Sequence, residues 1–300
     1  MQVSLFDRSH ISKKYTFTHE GLTGCYYVVG DAKGMPIVFL HGLTGSHIGL
    51  LPLAAHLSRF CCILLDLPGH SSAPIPLSSM PIHLLDDWVS AFVDRWKGAV
   101  VVAHSYGGSL AVLALNQNPD SIAGCILLNP IAQTSSLARS YRNFASLLRP
   151  TFVAALNDID LLRHERHAYL LERSTPAVIK IMKQLNEAEM FIKTSREQMA
   201  YFQRLGKYFD DLTIFKNAKK PLIKKTFCVV ASHDRLVSPR NTAFLQEIFN
   251  KSHVYVCADS GHLMPVEAID DTAKIVNKIL KRITKPAATT KSRLTFGPKP

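Results

Sequence analysis

Along the first 130 positions, short apolar runs alternate with longer stretches in which apolar residues return every three or four positions. The short runs are Tyr15 to Thr18, Gly24 to Val29, Ile37 to Leu40, Cys61 to Leu65, Ala99 to Val102 and Gly124 to Leu128. They are too short for buried helices, are rich in β-branched residues, and are bounded by Gly, Pro, Asn or Asp, so they predict strands. Helical periodicity covers Leu50 to Leu57, Pro81 to Trp96 and Ser109 to Leu115. From Ile131 to about Phe215 the strand-like runs disappear and helical spacing takes over, as in Val178, Ile181, Met182, Leu185 and Met190. The alternation then returns, with strands at Thr226 to Ala231 and Val254 to Cys257 and helices at Asn241 to Phe249 and Thr272 to Arg282. Strands alternating with helices at this spacing predict an α/β fold with a mostly parallel sheet and right-handed crossovers. The predicted division is a core of residues 1–130 and 216–284, a helical insertion of 131–215, and a Pro-, Thr- and Lys-rich tail of 285–300, read as disordered.

One hexapeptide, Ala103-His104-Ser105-Tyr106-Gly107-Gly108, lies between the strand at Ala99 and the helix at Ser109. It places Ser105 on a tight strand-to-helix corner. Such a corner crowds the positions two before and two after the serine, and both are small here, Ala103 and Gly107. The corner lifts the hydroxyl above the sheet and turns the Tyr106 amide towards the same space. The competing explanation is an ordinary N-cap serine at a helix start.

Two other predicted strands end in residues with matching chemistry. Val230-Ala231 leads into Ser232-His233-Asp234, and Val256-Cys257 leads into Ala258-Asp259-Ser260-Gly261-His262. In an open parallel sheet, functional residues gather at the carboxyl ends of strands. A serine hydroxyl is a weak nucleophile. It needs a histidine to take its proton and a carboxylate to orient the imidazole. Ser105, Asp234 and His262 supply those types, each just past a strand, with Asp259 as the rival acid. Acyl transfer also needs two donors for a tetrahedral oxyanion. The expected donors are the amides of Tyr106 and of Leu43, the latter in the loop after Ile37 to Leu40. His41 is expected to hold that loop by hydrogen bonding.

Charge changes this picture little. The formal net charge is +12, but Lys274 to Pro300 carries eight Lys or Arg and no Asp or Glu, and Lys216, Lys219, Lys220, Lys224 and Lys225 add five more. No aromatic-interleaved basic face accompanies these charges, which argues against a nucleic-acid groove. No run approaches the length of a membrane span, no secretory signal is visible, and the six cysteines show no C-x-x-C spacing. These features predict buried free thiols, no metal, no cofactor and a cytoplasmic location.

Taken together, His41-Gly42, Asp66-Leu67-Pro68-Gly69-His70, His104-Ser105-Tyr106-Gly107-Gly108, Ser232-His233-Asp234 and Gly261-His262 resemble the α/β-hydrolase superfamily, in its serine-hydrolase branch with a cap. The resemblance spans about residues 14–283. It implies a mostly parallel eight-stranded sheet with helices on both faces, and a helical cap inserted after strand 6. It also implies ester hydrolysis through an acyl-enzyme, and a structural loop at Asp66 to Ser71. The branch includes hydrolases of thioesters, lactones, amides and carbon–carbon bonds, as well as non-catalytic ligand-binding members. Pimeloyl-carrier-protein methyl esterases of biotin synthesis have a similar length and cap. The first half of the insertion is rich in arginine, with Arg139, Arg142 and Arg149 as candidate contacts to an acidic acyl carrier protein.

Overall fold

The apolar runs become eight strands: β1 (Tyr15–His19), β2 (Leu22–Gly30), β3 (Pro36–Leu40), β4 (Cys61–Asp66), β5 (Ala99–His104), β6 (Ile122–Leu128), β7 (Thr226–Ala231) and β8 (Val254–Cys257). The structure is a computed structural model that describes residues 11, 13–132, 196–210, 214–234, 236–237 and 239–285. The strands form one sheet in the order β1-β2-β4-β3-β5-β6-β7-β8. β2 runs antiparallel to β1 and β4, and every other pairing is parallel. The helices among the described residues are α1 (Leu51–Ala55), α2 (Leu84–Asp94), α3 (Tyr106–Gln117), α4 (Arg196–Asp210), α5 (Lys220–Lys225), α6 (Pro239–Phe249), α7 (Met264–Glu267) and α8 (Ile269–Thr284).

The period of two along each strand divides the core between the sheet faces. Val38, Leu40, Val101, Ala103 and Leu127 face Trp88 and Phe92 of α2, Leu110 of α3 and Phe249 of α6. Ile37, Phe39, Val100, Val102 and Leu128 face Leu53 of α1 and Val276 and Ile279 of α8. All six residues of β5 are buried, which is why its sequence reads as a continuous apolar run rather than an alternation. All six cysteines are buried and unpaired.

β2 and α8 start earlier than the sequence predicts, and α7 is not predicted. Among the other differences, three have a local cause. The helix expected over Leu50 to Leu57 is a 3-10 turn (His47–Leu50), capped by the Ser46 hydroxyl accepting from the Ile48 amide, followed by the short α1. It stops early because the chain turns there into β4, with Leu57 N–H donating to Ala54 and Phe60 N–H to Leu57. The basic connector contains α5, started by Pro221 in its first turn. β6 begins at Ile122, two residues early, and the register with β5 shifts between Ala99 and Val100.

Of the expected insertion, α4 is described; residues 133–195 and 211–213 lie outside the described residues, as does the tail from 286. α4 buries Tyr201, Phe202 and Leu205 against the first core face. Polar bonds fix it as well: Tyr208 OH donates to Asp86 Oδ2 (2.9 Å), and the Arg204 guanidinium donates to the Met80 carbonyl.

The last residue of β4, Asp66, is fully buried. Its Oδ1 accepts from the His47 amide (2.7 Å) and from His47 Nδ1 (2.9 Å). Burial alone would raise its pKa, but the His47 hydrogen bonds and charge outweigh this and hold it below the ordinary carboxylate value. Asp66→Ala is expected to destabilise the fold by about 3 kcal/mol, measured by urea unfolding, because it removes one partner of a buried pair. The folded-state pKa is depressed. The contribution is therefore present above the unfolded value of about 4 and is lost as pH falls through the folded one, so the gap to wild type narrows in acid. A gap as wide at about pH 3 as at neutral pH would show that the carboxylate charge contributes nothing.

Candidate active site

β5 ends at His104 and α3 starts at Tyr106, so a single residue makes the turn between them. That residue, Ser105, adopts φ 54° and ψ −123°, a conformation that L residues rarely take. Gly107 makes the turn possible. A Cβ there would lie 2.5 Å from the His41 carbonyl oxygen and 2.8 Å from that of Leu40. The corner is tied on both sides: Ser105 N–H donates to Leu128 O, and Gly108 N–H donates back to Ser105 O, each at 2.9 Å.

The loop after β8 brings His262 over this corner. Ser105 Oγ donates to His262 Nε2 at 2.8 Å, and His262 Nδ1–H donates to Asp234 Oδ2 at 2.8 Å. All three side chains are buried or nearly so, at 6%, 4% and 6% exposure. The other oxygen of Asp234 accepts from the amides of Leu236 (2.8 Å) and Val237 (2.9 Å). Burial works to raise the Asp234 pKa. The charge and hydrogen bond of His262 and the two amides outweigh it, so the carboxyl lies below its ordinary value and is ionised at neutral pH. Asp259, by contrast, is exposed in the turn after β8, with φ 49°.

Leu43, the expected second donor, follows Gly42 in the loop after β3. A Cβ on Gly42 would fall 3.2 Å from Ser105 Cβ, so this loop passes directly beside the serine. His41 fixes its start: Nδ1–H donates to Gly42 O (2.8 Å), and Nε2 accepts from the Leu67 amide (3.1 Å). Burial lowers the His41 pKa, which keeps the ring neutral in this role. The Asp66–His47 pair fixes the end of the same loop. Tyr106 is the first residue of α3, so its amide is among those at a helix amino terminus that point outward. Arg139, Arg142 and Arg149 lie outside the described residues. Among the described residues no group of three or more His, Cys, Asp or Glu is placed to hold a metal.

Two residues with no sequence-based role hold the histidine loop. Asn129 follows β6 with φ 44°; its amide nitrogen donates to the carbonyls of Gly261 and His262, each at 3.0 Å. Its oxygen accepts from Ala231 N–H at 2.7 Å, so one side chain joins the ends of β6 and β7 to the loop after β8. The Asn-Pro pair past a buried strand was the only sign of this in the sequence. His104 Nε2–H donates to the His262 carbonyl at 2.8 Å. Burial lowers its pKa to about 3, so it serves as a neutral donor. Glu267, one turn after His262, has an Oε1 without a hydrogen-bond partner, and burial raises its pKa to about 7.

A family model described as alpha/beta hydrolase fold matches residues 35–268, from the start of β3 to past the histidine loop. The chain belongs to the α/β-hydrolase fold family. Within that family, the sn-1-specific diacylglycerol lipase ABHD11 of Mus musculus is 20% identical over 269 residues, 84% of this chain and 82% of that one. A pimeloyl-[acyl-carrier protein] methyl ester esterase of Shewanella woodyi is 28% identical over 109 residues, 36% of this chain and 40% of its own length. Among solved structures, a thermophilic esterase from Thermogutta terrifontis superposes with a TM-score of 0.71 over 91% of this chain and 100% of its own, at 18% identity. At that identity the likeness is one of α/β-hydrolase fold.

Gly107→Ala tests the corner itself. The added methyl meets the backbone of Leu40 and His41, and backbone cannot move aside as a flexible side chain can. The variant is expected to lose about 3 kcal/mol or more of stability in urea unfolding. Unfolding at the wild-type midpoint would mean that the corner is looser than its geometry indicates.

Proposed function

We propose that this chain is a serine hydrolase that cleaves a carboxylic ester through an acyl-enzyme, with Ser105 as nucleophile, His262 as general base and acid, and Asp234 as the group that orients the imidazole. The observation that carries this reading is the continuous relay from Ser105 Oγ to His262 to Asp234, both links at 2.8 Å, on a strained corner. In the first half-reaction Ser105 Oγ attacks the ester carbonyl carbon as its proton passes to His262 Nε2. The oxyanion forms against the amides of Tyr106 and Leu43. Collapse of the intermediate expels the alcohol, which takes the proton from His262 and leaves the acyl group on Ser105. Water, deprotonated by His262, then attacks that ester, and as the bond to Ser105 Oγ breaks His262 returns the proton to Oγ and the acid is released. Ionised Asp234 stabilises the imidazolium formed in each half.

The names of the relatives support the ester as the bond class. One is a diacylglycerol lipase and another a methyl ester esterase. The partial likeness to the carrier-protein esterase favours a more specific form of the reading, in which the acyl group arrives on an acidic carrier met by Arg139, Arg142 and Arg149. A non-catalytic, ligand-holding member of the fold would keep the same constellation without turnover.

p-Nitrophenyl esters of graded acyl length test the central reading. The wild type is expected to turn over at least one of them. Ser105→Ala should lower kcat/KM by about ten-thousand-fold or more, and Asp234→Asn by about a hundred- to ten-thousand-fold. Asp259→Asn should stay within about twofold, as a surface change away from the relay. A large loss in Asp259→Asn alone would reassign the acid, and a ligand that survives dialysis uncleaved would favour the non-catalytic alternative.

The carrier form makes its own claim. Between about 0.1 M and 1 M salt the Debye length falls from about 10 Å to 3 Å. The kcat/KM for a carrier-linked ester should therefore drop while that for a neutral p-nitrophenyl ester holds. Equal salt dependence of the two would remove the case for an acidic partner.

A further inference from the structure

The two edges of the sheet differ in chemistry. The carboxyl edge carries Ser105, Asp234, His262 and the Leu43 loop. The amino-terminal edge is where the parallel strands begin, and it is basic. Lys33 lies three residues before β3, Arg59 two before β4, Lys97 two before β5, Lys224 two before β7 and Lys251 three before β8. Only β6 is preceded by an acid, Asp120, and Lys225 pairs with it at 3.3 Å. α8 ends at the same edge, where Ile283 packs on Gly124 of β6 and Arg282 donates to the Ser252 carbonyl. It brings Lys281, Arg282 and Lys285 with it. The other acids there are Asp31, Asp94 and Glu247, with Asp87 accepting from Gln117 at the end of α3 and Asp270 paired with His56 at 3.3 Å.

Helix dipoles explain part of this. α2, α3, α6 and α8 all end at this edge, and cations complement their carbonyl ends. That account does not reach Lys33, in the turn before β3. Internal pairing does not absorb the charge either. Lys33, Lys97, Lys219, Lys220, Lys224 and Lys251 are exposed and have no side-chain partner among the described residues.

The anatomy of the edge selects the partner. A protein interface needs an apolar or aromatic centre. Among the described residues the exposed large apolar side chains are Tyr15, Leu77 and Val256, on β1, in the loop before α2 and on β8. Single-stranded nucleic acid needs aromatic platforms, and duplex readout needs a helix or ribbon that enters a groove. This edge is built of turns and helix ends with dispersed ammonium groups. A diffuse layer of anionic headgroups asks for no more than that. A shallow polar cleft between α1 and α8, lined by His56, Ser58, Arg59, Asn277 and Lys281, opens there too.

We propose that the amino-terminal edge of the sheet docks on an anionic lipid bilayer, with the Ser105 edge turned away from it towards the aqueous side. The substrate then reaches Ser105 from solution and is not drawn out of the docked bilayer. The docking itself does not rest on the hydrolase reading.

Sedimentation of the full chain with vesicles tests it. The chain is expected to bind phosphatidylcholine–phosphatidylglycerol vesicles at about 0.1 M salt, to be released at about 1 M, and to ignore pure phosphatidylcholine. The triple variant Lys219→Gln, Lys220→Gln, Lys224→Gln should bind the anionic vesicles about a hundredfold more weakly with an unchanged thermal midpoint. Three outcomes overturn the proposal: no binding to anionic vesicles, equal binding to neutral ones, or wild-type binding by a correctly folded triple variant. Duplex RNA or DNA displacing the chain from anionic vesicles at equal phosphate would assign the surface to nucleic acid instead.

Discussion

The site depends on one backbone constraint: the chain must pass from β5 to α3 through Ser105 alone, at positive φ. An L residue held there costs of order 1–3 kcal/mol and persists only where its surroundings leave no alternative. Here the surroundings are β5, buried along its whole length, and the close contact of Gly107 with the backbone of β3. Relaxing the corner would mean pulling α3 away from the sheet. The strain is thus balanced by apolar packing on both faces, and what it provides is a hydroxyl fixed above the sheet beside a helix amino terminus.

Apolar packing carries the corner to the carboxyl edge, but it does not align the loops that meet there. Polar side chains at the ends of the strands do that. Asn129 spans from β6 to β7 and to the loop of His262, His104 reaches the same loop from β5, and His41 with the Asp66–His47 pair anchors both ends of the Leu43 loop. Each of these groups is buried and fully engaged at the atoms named, so removing one leaves unpaired partners inside the protein. The triad geometry is in this sense a product of residues that do not belong to it. Burial keeps His104 and His41 neutral, as their hydrogen-bonding roles require.

Much of this was legible in the chain. The strand runs are short and β-branched, so the α/β alternation and the eight strands follow from period and length. The hexapeptide around Ser105 announces its corner because only small residues fit two positions either side. Pairwise placement was less legible. Asn129 looks like a turn residue, Asp66 like part of a loop, and nothing in their neighbours indicates that each bridges strands distant in sequence. The short α1 was missed because apolar periodicity continues through Leu57 while hydrogen bonding does not. The placement of charge was the least legible. Read linearly, the basic residues belong to a tail and a connector. Folding brings single lysines and arginines from five separate connections to one edge, and Ser105, Asp234 and His262 to the other.

The central claim is that Ser105, and no other hydroxyl or thiol, is the activated nucleophile. Labelling with a fluorophosphonate, followed by peptide mass mapping, addresses it directly, because such probes react only with a serine whose proton is being removed by a neighbouring base. One phosphonyl group on the peptide that contains Ser105, with His262→Ala abolishing the adduct while the protein remains folded, is the result this account predicts. An intact, folded protein that takes up no label, or takes it up elsewhere, would contradict it.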